Sequence, residues 1–427
     1  MTELEAPSRG RLRDDPDFRR YWWSRVLSTG GTVVTLIALP VLVYRMTGST
    51  LLTGVVSGLE AAPYLLFGLF AGVLADLFNR RRVMVVADVA DALLMASIPA
   101  AHLMGVLSVP QILVVAFAGP GIAVFFDGAN FGALPMLVGR DRIASANAVV
   151  FGASTALEML LPSLVGVALA VLHPATLVGV DALSFAASAW CVSSISRPLH
   201  DPARVPVPLT GQAVRVEMRE GLDYLFRHSG VRTMTVIGTL QCIAGGGFVA
   251  LMVVWADRVL HVGTSGWRFG LVFTAWSMGA LVASIALPRM LQRRSAAWIA
   301  LTALPISGVL GVVTTLTGSW ELGALLLFCW SVAYTLVTIN AISYRQQVTP
   351  EHLLGRVNTA GRMLSWGIGW TLGAFLGGVL GNAFGIRAGM LVLTSAGLVA
   401  VVVAWTSPLR SQARGMAAPA LSADDSR

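Results

Sequence analysis

Twelve apolar stretches, each long enough to cross a bilayer, follow one another along almost the whole of this 427-residue chain. Their approximate limits are 22–44, 52–75, 83–105, 110–134, 148–172, 175–196, 233–256, 268–289, 296–316, 320–343, 358–382 and 387–408. A helix rises ~1.5 Å per residue, so about 20 apolar residues span roughly 30 Å of hydrocarbon. Inside lipid every backbone N–H and C=O has to be bonded within the protein, and a lone apolar segment meets that demand as a helix. Composition agrees, because 56% hydrophobic and 12% charged residues leave too little polar surface to cover a soluble globule of this size. The chain therefore reads as an all-α membrane protein of twelve transmembrane helices.

A shift of 211 residues lays the first six stretches on the last six with errors of a few positions; Gly68 then falls on Gly279, Arg82 on Arg293, Asn147 on Asn358 and Gly166 on Gly377. An even number of spans gives both copies the same orientation, so two six-helix bundles related as parallel repeats are expected. The domain limits follow: a tail over 1–20, a first bundle over 21–197, a linker over 198–231, a second bundle over 232–408 and a second tail over 409–427. The linker opens with a Pro-rich run after Arg197. It closes with a stretch from about Gln212 to Arg227 that reads as an amphipathic helix at the membrane surface.

All 30 basic residues are Arg, as expected of a GC-rich bacterial genome. They gather in the loops on one side, and only Arg45, Arg258, Arg268 and Arg387 fall in the loops on the other. Cytoplasmic loops carry such clusters, so the net charge of +8 reports orientation and not a nucleic-acid partner. Both tails are then cytoplasmic, and the expected location is a bacterial inner membrane, with the protein a monomer in the bilayer. The polar, mixed-charge stretch before residue 20 gives no sign of a cleavable signal peptide. Cys191, Cys242 and Cys329 lie inside apolar spans at unrelated spacing, which offers neither a disulfide framework nor a metal site.

Between the second and third spans stands Gly72-Val-Leu-Ala-Asp76-Leu-Phe-Asn-Arg80-Arg81-Arg82. This loop resembles the one between helices two and three of the major facilitator superfamily of transporters. Further stretches are similar to its macrolide-efflux and enterobactin-exporter branch of drug:proton antiporters: Phe18-Arg19 with Trp22, Ala38-Leu39-Pro40, Leu134-Pro135 with Leu137-Val138, Ala146-Asn147-Ala148, Asp181 to Phe185, and Glu220 to Leu225 in the linker. The resemblance implies the major facilitator fold, with a substrate site between the repeats near the midplane. It also implies that Asp76 faces the start of helix eleven near Val357 and Asn358, where the positive end of the helix dipole attracts it. Gly72 permits close approach of a neighbouring helix, and Arg80, Arg81 and Arg82 could latch the same face by charged hydrogen bonds. A merely topogenic cluster would explain the arginines but not the Gly and the Asp. In the fifth span Pro162 and Gly166 resemble the end of the antiporter motif; simple helix packing explains them about as well.

Each acid in hydrocarbon costs at least ~2.5 kcal/mol and is normally paired or functional. The first repeat has Glu60, Asp88, Asp91, Asp127, Glu158 and Asp181 inside its spans, and the second has none away from a span end. Proton coupling is therefore expected in the first bundle, with Glu158 and Asp127 as first candidates and Glu60 and Asp91 next. Asp88 and Asp181 match positions where the branch often has Asp and read as packing or tethering residues. For each acid the competing role is a neutral carboxyl bonded to a neighbouring Ser, Thr or Arg.

Nine of the twelve Trp lie in the second repeat. Trp366 with Trp370, and Trp330 with Tyr334, share helix faces by their i,i+4 spacing. Aromatic walls suit a bulky amphipathic ligand. Asn130, Gln241 and Asn340 could add hydrogen bonds, although core or lipid-facing packing competes for each Trp. No phosphate loop, metalloprotease motif or nucleophile elbow is present, so enzyme activity is not expected. The function expected is secondary active export of a hydrophobic or amphipathic small molecule, such as an antibiotic, secondary metabolite or siderophore. It would be driven by a proton gradient without cofactor or metal. An importer of small solutes, or a non-transporting sensor or lipid-handling protein on the same scaffold, is the alternative.

Overall fold

The structure, a computed structural model, describes residues 12–199 and 211–413. Within them the regular structure is helical throughout, and twelve helices are long and apolar enough to cross a membrane. The first six are α1 (Pro16–Thr47), α2 (Thr50–Leu77), α3 (Arg80–Leu103), α4 (Val109–Val138), α5 (Ile143–Val171) and α6 (Pro174–Ser193). The linker forms α7 (Gly211–Arg227). Then come α8 (Ser229–Arg258), α9 (Trp267–Leu291), α10 (Ala296–Leu316), α11 (Trp320–Val348), α12 (Glu351–Arg362), α13 (Thr371–Phe384), α14 (Ile386–Thr406) and the short α15 (Leu409–Ala413).

Local sequence sets the helix ends. Asp15 accepts from the N–H groups of Asp17 and Phe18 ahead of Pro16, and Gly48 closes α1 at φ 62°, a conformation that favours glycine. Asn79, His173, His228, Ser295 and Ser319 cap α3, α6, α8, α10 and α11 through their side chains. The eleventh span departs from a single α-helix. Residues Met363–Trp370, between α12 and α13, form a π-helix that packs on α8, with Gly367 and Gly369 buried. A Cβ on Gly369 would stand 2.7 Å from the Thr239 carbonyl oxygen, so this approach requires glycine.

The chain divides into two compact units that exchange short segments. Unit 1 holds the chain to Gly48, Leu59–Gly211 and Thr264–Thr274. In it α1 packs along α6 and α5, and α3 lies between α6 and α4. One core gathers Phe18, Tyr21, Met84, Phe126, Leu134 and Leu137. Asp17 accepts from the N–H groups of Ser196 and Arg197, each at 3.0 Å, and Arg197 pairs with Asp15 at 2.5 Å, which ties the start of the first repeat to its end. The segment Thr264–Thr274 joins this unit through glycine contacts with α5.

Unit 2 holds Ser49–Gly58, Gln212–Gly263 and the chain from Ala275. Here α8 packs on α13 and α14, and α10 on α11 and α14. The first turns of α2 belong to this unit, with Gly54 against the Gly378 backbone and Gly58 against the Phe375 ring. Helix α7 packs on the same unit: Leu225 is fully buried, Tyr224 donates to the Val348 carbonyl at 2.9 Å, and Glu220 pairs with Arg356.

Candidate functional site

Three helices of unit 1 share a buried polar seam. On α6, Ser188 donates to Asp88 of α3 at 2.6 Å. Its hydroxyl proton is thereby committed, so Ser24 of α1, 2.8 Å away, donates to Ser188. Further along, Thr35 of α1 donates to Asp181 of α6 at 2.6 Å, and Ser184 lies 3.0 Å from the other carboxylate oxygen. Gly31 makes room for that carboxylate, since a Cβ there would lie 2.0 Å from Asp181 Oδ1. Asp88 and Asp181 are thus tethered to neighbouring hydroxyls.

Asp91 differs. It follows Asp88 by about one turn of α3, is 2% exposed, and its Oδ1 has no hydrogen-bond partner among the described residues. The charges that act on it are those of Asp88 and Asp181. Among the described residues no donor reaches that oxygen, and the neighbouring charges are of its own sign. That is the property required of a group that takes a proton in dry surroundings and releases it in wet ones.

The other carboxylates lie elsewhere. Asp127 on α4 stands 3.7 Å from Arg25 of α1, whose guanidinium also lies 5.2 Å from the centre of the Phe126 ring. Asn130, one turn on, accepts from Tyr21 at 2.6 Å. Glu60 is half-buried with Oε1 sealed and unpartnered among the described residues. Glu158 occupies the exposed face of α5 near the middle of the helix. An acid at that depth would be costly against lipid.

In the loop motif, Gly72 and Asp76 fall outside the residues whose side chains are described, so the contact with the start of helix eleven is not placed. Two of the three arginines hold unit 1 itself. Arg80 is buried and donates to the Gly132 carbonyl at 2.9 Å, and Arg81 donates to the Ser193 carbonyl. Arg82 is exposed, and its backbone N–H is capped by Asn79. Pro162 and Gly166 both meet Gly270 at the start of α9.

Several expected cavity residues of the second repeat are interior instead. Trp330 and Tyr334 are 1% and 5% exposed and pack with Phe248 and Trp276 in an aromatic core. Gln241 is sealed against Ser307, and Asn340 donates to the Ala296 carbonyl at 2.7 Å. An i,i+4 pair marks a shared face but not what that face meets, and here it meets α8 and α9. By contrast, Trp366 is 49% exposed and stacks on Trp370 at 5.1 Å with the rings 7° from parallel. Sequence reasoning missed Arg345, a buried cation on α11. Its legible signal was a charge two residues past the end of the 320–343 apolar run. The serines and threonine of the acidic seam were also missed, because such residues are common in every span.

Comparison with known proteins agrees with this architecture. A family described as transmembrane secretion effector matches residues 11–423. The chain is 28% identical over 341 residues to the multidrug efflux pump Tap of Mycolicibacterium fortuitum, covering 77% of this chain and 80% of that protein. It is 24% identical over 350 residues to the enterobactin exporter EntS of Citrobacter koseri, covering 81% of each. Among solved structures, a bacterial homologue of the human lysosomal transporter Spinster, inward-facing and unoccupied, matches with a TM-score of 0.75 at 13% identity over 97% of this chain and 100% of that one. A D-xylose-proton symporter matches with a TM-score of 0.68 at 14% identity over 92% of this chain and 97% of that one. The twelve-helix fold and a family match along nearly the whole length together place the chain in the transmembrane secretion effector family of major facilitator transporters, as a multi-pass membrane protein that moves solutes and is not an enzyme.

Proposed function

We propose that this protein exports a hydrophobic or amphipathic small molecule from the cytoplasm in exchange for entering protons, by alternating access. The arginine-rich tails and loops face the cytoplasm in this reading, following the positive-inside pattern. Similarity to an efflux pump and to a siderophore exporter supports the outward direction. Proton and substrate need only favour opposite conformations for their movements to be linked.

The observation that carries the coupling is Asp91, a buried acid with an unpartnered carboxylate oxygen beside two tethered ones. In the proposed cycle Asp91 takes a proton when its surroundings open to the outside. It releases the proton when they open to the cytoplasm. Glu158, exposed at mid-helix, is placed to pass protons or to meet substrate.

Everted membrane vesicles test this reading. With a panel of hydrophobic dyes and antibiotics of either charge, the wild-type protein should release protons from the vesicle lumen when a transported compound is added. Asp91→Asn should abolish that release while the protein still folds and binds the compound. Undiminished proton release in Asp91→Asn would remove the residue from the mechanism. Transport that needs no proton gradient would overturn antiport itself.

A further inference from the structure

Arg345 is the anomaly of unit 2. It lies in the last turn of α11, is 3% exposed, and has no carboxylate partner among the described residues. Its Nε donates to Asn358 at 3.1 Å and its Nη1 makes a long bond of 3.4 Å to Thr235. A guanidinium carries five N–H groups, so most of its donors have no acceptor among the described residues. The glycine at 361 exists to admit it: a Cβ there would overlap Nη1 at 1.9 Å. The charge acting on Arg345 is that of a second arginine, Arg362, the neighbour of this glycine. A buried cation whose charged neighbour is another cation is a place where an anion is missing.

The same helix offers something beside that charge. Arg362, Trp366 and Trp370 follow one another at spacings of four, which places them along one side of the π-helical stretch. The two indoles are stacked and Trp366 is half-exposed, so an aromatic surface runs on from the cationic end. The acids within the spans of unit 2, Asp257 in the last turn of α8 and Glu321 in the first turn of α11, stand at the helix ends away from Thr235 and Arg345.

We propose that unit 2 binds an aromatic anion, with Arg345 and Arg362 taking its acidic group and the Trp366–Trp370 pair taking its ring system. This deepens the export reading, on which it rests, by assigning the substrate class: aromatic acids rather than the hydrophobic cations that an acidic pocket would select. A guanidinium meets a carboxylate through parallel charged hydrogen bonds, and an indole pair offers a flat apolar face for the attached ring.

Binding measured on the purified protein in nanodiscs, with no gradient and no transport, separates this proposal from the export mechanism. The probes are 2-naphthoate, its neutral isostere 2-naphthamide, and 2-naphthyltrimethylammonium, followed by tryptophan fluorescence and by calorimetry. Naphthoate should bind about tenfold or more tightly than the amide, the value of one or two charged hydrogen bonds, and the cation weakest. Arg345→Gln should bring naphthoate down to the affinity of the amide and leave the amide unchanged, which loss of a merely structural tie between helices would not do. Should Arg345→Gln fail to fold, Arg362→Gln should reduce the same preference, and Arg345→Lys should retain part of it. Trp366→Ala should weaken both naphthoate and amide alike. Equal binding of the three probes, a preference for the cation, or no saturable binding of naphthoate overturns the proposal. Each of those results leaves proton-coupled export to be decided by the vesicle experiment.

Discussion

Gly166 of α5 and Gly270 of α9 are in backbone contact: a Cβ on Gly166 would stand 2.6 Å from the Gly270 Cα, and the Gly266 N–H donates to the Gly166 carbonyl at 2.6 Å. Ser163 and Thr274 share a hydrogen bond of 2.7 Å beside it, and Arg45 donates to Thr264 at 2.9 Å. A segment of the second repeat is thus held on helices of the first by small residues at closest approach. Gly270→Leu is expected to force these backbones apart and to destabilise the protein by about 1–3 kcal/mol. Thermal unfolding in detergent measures this; an unchanged melting temperature would mean that the contact is not made.

The two kinds of buried aspartate should separate by mutation. Asp181→Ala leaves the buried Thr35 hydroxyl without its carboxylate acceptor, while Ser184 keeps the residue-181 carbonyl at 2.8 Å, at a cost of about 1–3 kcal/mol for the buried group so abandoned. Asp91→Asn removes no hydrogen bond from its unpartnered Oδ1 and should leave the melting temperature near wild type while transport fails. The reverse pattern, a stable Asp181→Ala and an unfolded Asp91→Asn, would interchange the two roles.

Trp330 and Trp366 look alike in sequence and should behave oppositely. Trp330→Ala empties an aromatic core bounded by Phe248 and Trp276 and should cost about 3–5 kcal/mol. Trp366→Ala removes a half-exposed ring and should cost less than about 1 kcal/mol. Chemical denaturation of the two variants side by side checks the order.

His102 and His173 stack with ring centres 3.9 Å apart, outside the seam. Burial, followed by the neighbouring His102 and Arg45, pushes the His173 imidazole below its ordinary value, and its Nδ1 is occupied in capping α6. The unfolded chain therefore takes up this proton first. Stability is full above about pH 6.5 and is lost as pH falls through the depressed value. His173→Asn, which can keep the cap, should flatten the decline in melting temperature between about pH 6.5 and 5; an identical decline would assign it to other groups.

The twelve spans, the duplication and the family were legible in the sequence because they follow from quantities that add along the chain. Apolar length decides whether a segment crosses lipid, and spacing survives duplication. The first repeat's acids were legible for the same reason, since a charge in hydrocarbon is conspicuous wherever it points. What sequence could not rank was their roles. Glu158 and Asp127 outranked Asp91 on depth and on likeness to relatives, yet which carboxylate is left without a donor depends on where Ser188, Thr35 and Ser184 sit on other helices. The aromatic pairs met the same limit. Spacing of four puts two rings on one face, but only packing decided that Trp330 and Tyr334 look into a core while Trp366 lies half-exposed on a π-helical turn. Helix formation and membrane insertion are governed by neighbours along the chain. Satisfaction of buried polar groups is governed by neighbours in space, and Gly31, Gly361 and Gly166 acquire their meaning only when the side chain or backbone that fills their missing Cβ is in place.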